Sequence, residues 1–181
     1  VPVSQIQHVS RDLHHLLKAG TIIVDVGSVK LKPTEMMLAE LPPDVDIVGT
    51  HPLFGPQSAQ HGLNGLKIAV CPVRGNSHWR IAAFLKTAFQ LQPIITTADA
   101  HDREAATVQG LTHLIAKVLI EMEPLPTKMT TVSYDLLLEA IRMVKDDAPS
   151  VLDAIERANP YSLKVREEFF SKAAMIRSRF E

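Results

Sequence analysis

A chain of 181 residues, 46% of them hydrophobic, can bury a substantial core, and 19 Lys+Arg against 20 Asp+Glu give it no electrostatic footprint for nucleic acid or a membrane surface. No apolar stretch approaches the roughly 20 residues needed to cross a bilayer, and no charged-then-apolar leader opens the sequence. The single Cys71 closes the apolar run Leu66-Lys67-Ile68-Ala69-Val70 and cannot form an internal disulfide, so a buried structural thiol in a reducing compartment, the cytoplasm, is expected.

In chain order, Val1-Pro2-Val3 reads as the end of a strand, after which Ser4 can cap a helix carrying Ile6, Val9, Leu13, Leu16 and Leu17 up to Gly20. Thr21-Ile22-Ile23-Val24 and Val45-Asp46-Ile47-Val48 read as buried strands, and Pro33 to Leu41 between them has the length of a crossover helix. In such a β-α-β unit the strands are parallel, so the turns after both leave from one sheet edge, where open α/β folds bind ligands. Ser28, after the first strand, and His51, after the second, are therefore expected to face one cleft. A strand at Lys67 to Val70, a helix at Ser77 to Phe89 and a strand Ile94-Ile95-Thr96-Thr97 follow.

From Asp99 onward the pattern is helical, at about 100–122, 128–146, 149–158 and 161–178, with Asn159 as a cap and Pro160 in a first helical position. The expected fold is thus α/β followed by all-α, with residues 1–98 as the later part of a parallel nucleotide-binding sheet and 99–181 as a helical domain. Between Ala105 and Ala116 the first of these helices has no charged residue, so it should be buried all round. At about 100° per residue, Val108, Leu111, Ile115, Val118 and Met122 form one stripe, opposite Asp102, Ala106, Gln109 and His113. The eight glycines, at 20, 27, 49, 55, 62, 65, 75 and 110, form no G-x-G-x-x-G turn for a dinucleotide pyrophosphate, which suggests a nucleotide-binding fold entered after its first half.

His51 precedes Pro52 in a loop stiffened by Gly55 and Pro56, and a held imidazole can accept a hydroxyl proton near neutral pH; the plain alternative is a loop histidine bonded to a carbonyl. A serine within reach could fix its tautomer. Ser28 lacks the second glycine of a nucleophile elbow, so positioning suits it better than attack, and a helix N-cap is its structural alternative. His101-Asp102 invites a metal reading, but no ligand spacing supports one and a helix start explains the aspartate equally; His14-His15 is weaker still. Arg142, alone in the apolar stretch Leu136 to Val144, must reach solvent or meet an anion such as a substrate carboxylate.

Asp25-Val26-Gly27-Ser28-Val29-Lys30, His51-Pro52-Leu53-Phe54-Gly55-Pro56, His101-Asp102 and Gln109-Gly110-Leu111-Thr112-His113, in that order after Val1-Pro2, resemble the prephenate and arogenate dehydrogenase family of tyrosine biosynthesis, over residues 1 to about 160. The resemblance implies a Rossmann domain followed by a helical domain that pairs two subunits, and oxidative decarboxylation of prephenate or arogenate with NAD or NADP. It implies that His51 draws the proton from the substrate's ring hydroxyl, that Ser28 orients it, and that Pro2, Gly27 and Ser28 touch the cofactor. Arg142 would bind a substrate carboxylate, with Lys145 or Arg157 as substitutes, and His101, Gln109 and His113 would line the substrate pocket. No metal, nucleic acid or membrane is implied. Without the glycine-rich turn, these 181 residues by themselves are expected to be inactive. The rival readings are a non-catalytic relic that binds an aromatic ligand and a metal-dependent hydrolase built on His101-Asp102.

Overall fold

The computed structural model describes residues 1–145 and 147–180 of the protein. Its chain divides after Glu104 into two units.

The first unit carries a four-stranded sheet in the order β1 (Ile22–Asp25), β2 (Asp46–Pro52), β3 (Lys67–Arg74) and β4 (Gln92–Ile95). Strands β1 and β2 are parallel, joined by the crossover helix α2 (Leu31–Glu40). The sheet is mixed rather than parallel throughout, because β3 runs antiparallel to β2 and β4 follows β3 in parallel. That antiparallel pairing extends β2 past its apolar run: His51 pairs with Ala69 and Pro52 with Ile68. His51 therefore stands in a strand, where a loop was expected, and β2 is buried on both faces from Ile47 to His51.

The amino-terminal expectation is corrected. Val3–Gln5 form a 3-10 turn where a strand end was expected, and helix α1 (Ile6–Leu13) is capped by Gln5, not Ser4, and ends seven residues short of Gly20. Ile6 on α1 meets Met37 and Leu41 on α2, with Val45 and Ile47, in the apolar core beneath the sheet. Strand β4 begins two residues earlier than its β-branched residues indicate, since Gln92 takes the Lys67 register position. Helix α3 (His78–Phe89) follows a turn that only glycine allows: Gly75 has φ +77°, and a Cβ there would lie 1.9 Å from Asp46 Oδ1. The carboxylate so placed accepts the Ser77 backbone N–H at 3.0 Å, and hydrogen bonding from Ser77, its side chain first and its backbone N–H after, holds Asp46 below the usual carboxylate range.

Helix α4 (Ala98–Glu121) begins in the first unit and runs into the second, which continues with α5 (Val132–Lys145), α6 (Pro149–Asp153), a π-helical turn over Ala154–Ala158, and α7 (Ser162–Arg177). The residue at 146, expected to end α5, lies outside the described residues. Asn159 and Pro160 precede α7 rather than capping and opening it: Tyr161 is the N-cap, and the Asn159 side chain accepts its N–H at 2.9 Å. The expected all-round burial of α4 is also corrected. Ala105, Ala106, His113 and Ala116 are buried, whereas Val108, Val118 and Met122 on the apolar stripe are exposed. Gly110 lies beside α7, where an added Cβ would sit in ordinary contact, 4.0 Å from Ser162 Oγ.

Candidate functional site

The carboxyl ends of β1 and β2 place Asp25, Thr50 and His51 together, and the segment from Gly27 to Lys30 folds back over them. Lys30 is fully buried; its ammonium is paired with the Asp25 carboxylate and donates to the Thr50 carbonyl at 2.7 Å. Thr50 Oγ1 in turn donates to the Asp25 carbonyl at 2.9 Å, tying the two strand ends. Gly49 is the residue that admits the lysine stem, because a Cβ there would come within 3.2 Å of Lys30 Cδ. This pair had no role in the reading of the sequence. Its available signal was a carboxylate closing an apolar strand and a lysine, five residues on, set among apolar neighbours.

Asp102, fully buried at the start of α4, accepts the backbone N–H groups of Lys30 at 2.7 Å and Leu31 at 2.9 Å. It thereby satisfies the first donors of α2 and complements that helix's dipole. Lys30 is the N-cap of α2, so the capping role considered for Ser28 is filled from 72 residues away. Ser28 itself is half-buried.

His101 links this anchor to His51. Its Nδ1 lies 2.8 Å from Asp102 Oδ1, and its Nε2 lies 2.8 Å from His51 Nδ1. The partner at His51 Nδ1 is thus His101. Burial, then His101, then Lys30, push the His51 imidazole down to about 3, so it is neutral at physiological pH. Burial pushes the Cys71 thiol up to about 11, in keeping with an inert structural thiol.

Gly27 forms the turn after β1, its N–H donating to Asp25 Oδ1 at 3.0 Å, and Pro2 is an exposed extended residue opening the 3-10 turn. In the second unit His113 is buried, 3.5 Å from Asp147 Oδ2, and burial lowers its basicity against the pull of Asp147. Gln109 is half-buried on the same helix. Arg142 is exposed on α5, Lys145 pairs with Glu123 at 2.9 Å and Arg157 with Asp153 at 3.2 Å. No three histidine, cysteine or carboxylate side chains converge as a metal would require among the described residues. His101 and Asp102 are instead engaged with His51 and the start of α2. No helix among the described residues is long and apolar enough to cross a membrane.

The two depressed histidines make stability depend on pH. His51, neutral when folded down to about 3 but titrating near 6.5 when unfolded, stabilises the fold above 6.5, and the contribution is lost as pH falls through that window. His113 acts in the same direction. The slope is up to about 1.4 kcal/mol per pH unit for each fully shifted histidine. Glu40, held at about 2 by Arg11, adds its own loss only below its ordinary carboxylate range, so the histidines are read above it. Urea melts at about pH 7 and about pH 5 check this; equal midpoints would mean that water reaches both rings.

Residues 1–120 match the family described as prephenate dehydrogenase, nucleotide-binding domain. Arogenate dehydrogenase 1, chloroplastic, of Arabidopsis thaliana is 31% identical over 159 residues, covering 84% of this chain and 25% of its own. Arogenate dehydrogenase 2, chloroplastic, of the same plant is 29% identical over 177 residues, covering 86% of this chain and 48% of its own. The chain thus spans half or less of the length of these curated relatives. Among solved structures, prephenate dehydrogenase from A. aeolicus, in complex with hydroxyphenyl propionate and NAD+, superposes with a TM-score of 0.72 at 20% identity, over 100% of this chain and 68% of that one. That likeness establishes the fold, and the match over residues 1–120 places the chain in the prephenate dehydrogenase nucleotide-binding domain family.

Proposed function

We propose that this chain is part of a prephenate dehydrogenase that converts prephenate to 4-hydroxyphenylpyruvate and carbon dioxide with NAD or NADP. The observation that carries the reading is His51: buried at a strand end, neutral, and gripped at Nδ1 by His101, it is a held proton acceptor. Family membership supplies the reaction class to which such an acceptor belongs.

When bound, the nicotinamide supplies the hydride acceptor. The turn after β1 borders a cleft lined by Val1, Ile23, Asp25, Val26 and Gly27, where one edge of such a cofactor would sit. Pro2, Gly27 and Ser28 are the residues proposed to meet it. His51 takes the proton of the substrate's ring hydroxyl as hydride leaves the same carbon. That hydroxyl becomes strongly acidic as hydride departs, so a weakly basic imidazole suffices. Loss of carbon dioxide restores the aromatic ring, and His51 returns the proton to the phenolic oxygen. In the same reading Ser28 helps to orient the reacting groups, Gln109 and His113 contact substrate, His101, with both ring nitrogens engaged by Asp102 and His51, backs His51 where a substrate contact was expected, and the exposed guanidinium of Arg142 suits a substrate carboxylate.

Reduction of NAD or NADP, followed by absorbance on the polypeptide encoded by the full reading frame, tests the proposal. His51→Asn should lower turnover about a hundredfold or more with little change in KM. Near-normal turnover would leave His51 structural, and no prephenate-dependent reduction in the parent would end the reading. Arogenate is the second substrate to assay, because both Arabidopsis relatives carry that name.

The helical unit is proposed to pair two copies of the chain, in a cytoplasmic homodimer. Val108 on α4, Met122 just after it, Leu136 on α5 and Phe170 and Ile176 on α7 are at least half exposed, more apolar surface than a lone soluble unit normally shows. Sedimentation should give a dimer at micromolar concentration; a strictly monomeric species would remove the interface.

A further inference from the structure

We propose that Asp102 and His101 are positioning residues that fix His51 as its Nδ1–H tautomer, with the lone pair at Nε2. The proposal rests on the reading of His51 as the proton acceptor and adds how the fold selects which ring nitrogen accepts.

The assignment follows along the chain of contacts. A carboxylate has only acceptors, so the hydrogen in the 2.8 Å contact between His101 Nδ1 and Asp102 Oδ1 belongs to His101. A His101 ring whose single ring hydrogen sits at Nδ1 has only a lone pair at Nε2. The next 2.8 Å contact, from His101 Nε2 to His51 Nδ1, therefore needs its hydrogen on His51. His51 Nε2 is left as the acceptor. The two rings meet edge to face, centroids 5.0 Å apart at 69°, which suits an in-plane N–H directed at a lone pair.

The anchor of this relay is fixed from outside it. Asp102 is fully buried, and its two oxygens accept from consecutive backbone N–H groups, Lys30 and Leu31, so it cannot rotate without uncapping α2. The orientation of His51 is thus tied to the start of a helix five residues after β1. This role explains why a carboxylate next to a histidine is buried just after the first turn of α4, where a helix dipole alone would be served by an exposed first-turn acid such as Asp99.

The test is the tautomer itself, read on the 181-residue chain at neutral pH. Nitrogen-15 labelling of histidine with long-range proton–nitrogen correlations separates protonated from bare ring nitrogens. In the wild type His51 is expected to show a protonated Nδ1 and a bare Nε2. His101→Phe keeps an aromatic ring but removes the acceptor, and should move His51 from a sole Nδ1–H tautomer to a mixture dominated by Nε2–H, the form a free neutral imidazole prefers. A wild-type His51 protonated at Nε2 overturns the relay, as does a tautomer unchanged in a folded His101→Phe. If that variant does not fold, the wild-type spectrum decides alone. A wild-type Nδ1–H tautomer beside normal turnover in His51→Asn would sink the dehydrogenase reading and leave the relay standing; the opposite pair of results would do the reverse.

Discussion

Lys30→Ala is expected to cost about 3–5 kcal/mol of folding stability, the range for removing one partner of a buried ion pair. Lys30 is wholly buried and its partner Asp25 nearly so, and the same ammonium satisfies the Thr50 carbonyl. The variant leaves a carboxylate and a carbonyl in a place water reaches poorly, and the space beside Gly49 is left open as a cavity. Joint replacement, Asp25→Leu with Lys30→Met, should lose clearly less than the two single changes summed, because no charge is then stranded. Urea unfolding of the five proteins, the parent, Lys30→Ala, Asp25→Leu, Lys30→Met and the double variant, decides it. A loss under about 1 kcal/mol in Lys30→Ala would mean that the Asp25 charge is solvated, contrary to its burial.

The second large effect belongs to Asp102. Its replacement by alanine removes the acceptor for two backbone N–H groups at the head of α2 and for His101 Nδ1, all in a buried setting. At about 1–3 kcal/mol for each buried donor left without a partner, a total loss of about 3–5 kcal/mol is expected, with some relaxation allowed. Helix α2 carries Met37 and Leu41 into the core, so its fraying is felt at once by the sheet. Arg103→Ala, next along the chain and exposed beside Asp99, is the control and should leave the midpoint close to the parent's. Equal midpoints for the two variants would show that α2 draws its capping from elsewhere.

What the amino-acid order determined by itself was local. Ile22 to Val24 and Ile47 to Val48 are β-branched runs and the interval between them fits one crossover helix, so a parallel β1-α2-β2 unit was legible, although only β2 is buried as expected, β1 being half-buried with Val24 exposed. The loss of strand patterning after Asp99 likewise announced the helical half, because periodicity is carried by neighbouring residues. The motif residues that mark the family were legible in the same way.

The tertiary structure decided whatever depends on groups far apart in the chain. The direction of β3 follows from pairing with β2, and that pairing, not any property of His51-Pro52, draws His51 out of a loop into a strand. The buried side of α4 carries the small residues Ala105, Ala106 and Ala116, so the apolar stripe from Val108 to Met122 was misleading about which face is covered. At the site, His51 and Ser28 were recognisable from spacing, but the histidine's partner was not. Hydrogen-bond donors and acceptors must be satisfied where water is excluded, and His51, His101, Asp102 and the first amides of α2 satisfy one another across 50 to 72 residues of sequence. Spacing within a motif reports what is near along the chain; only folding brings His51, His101 and Asp102 together.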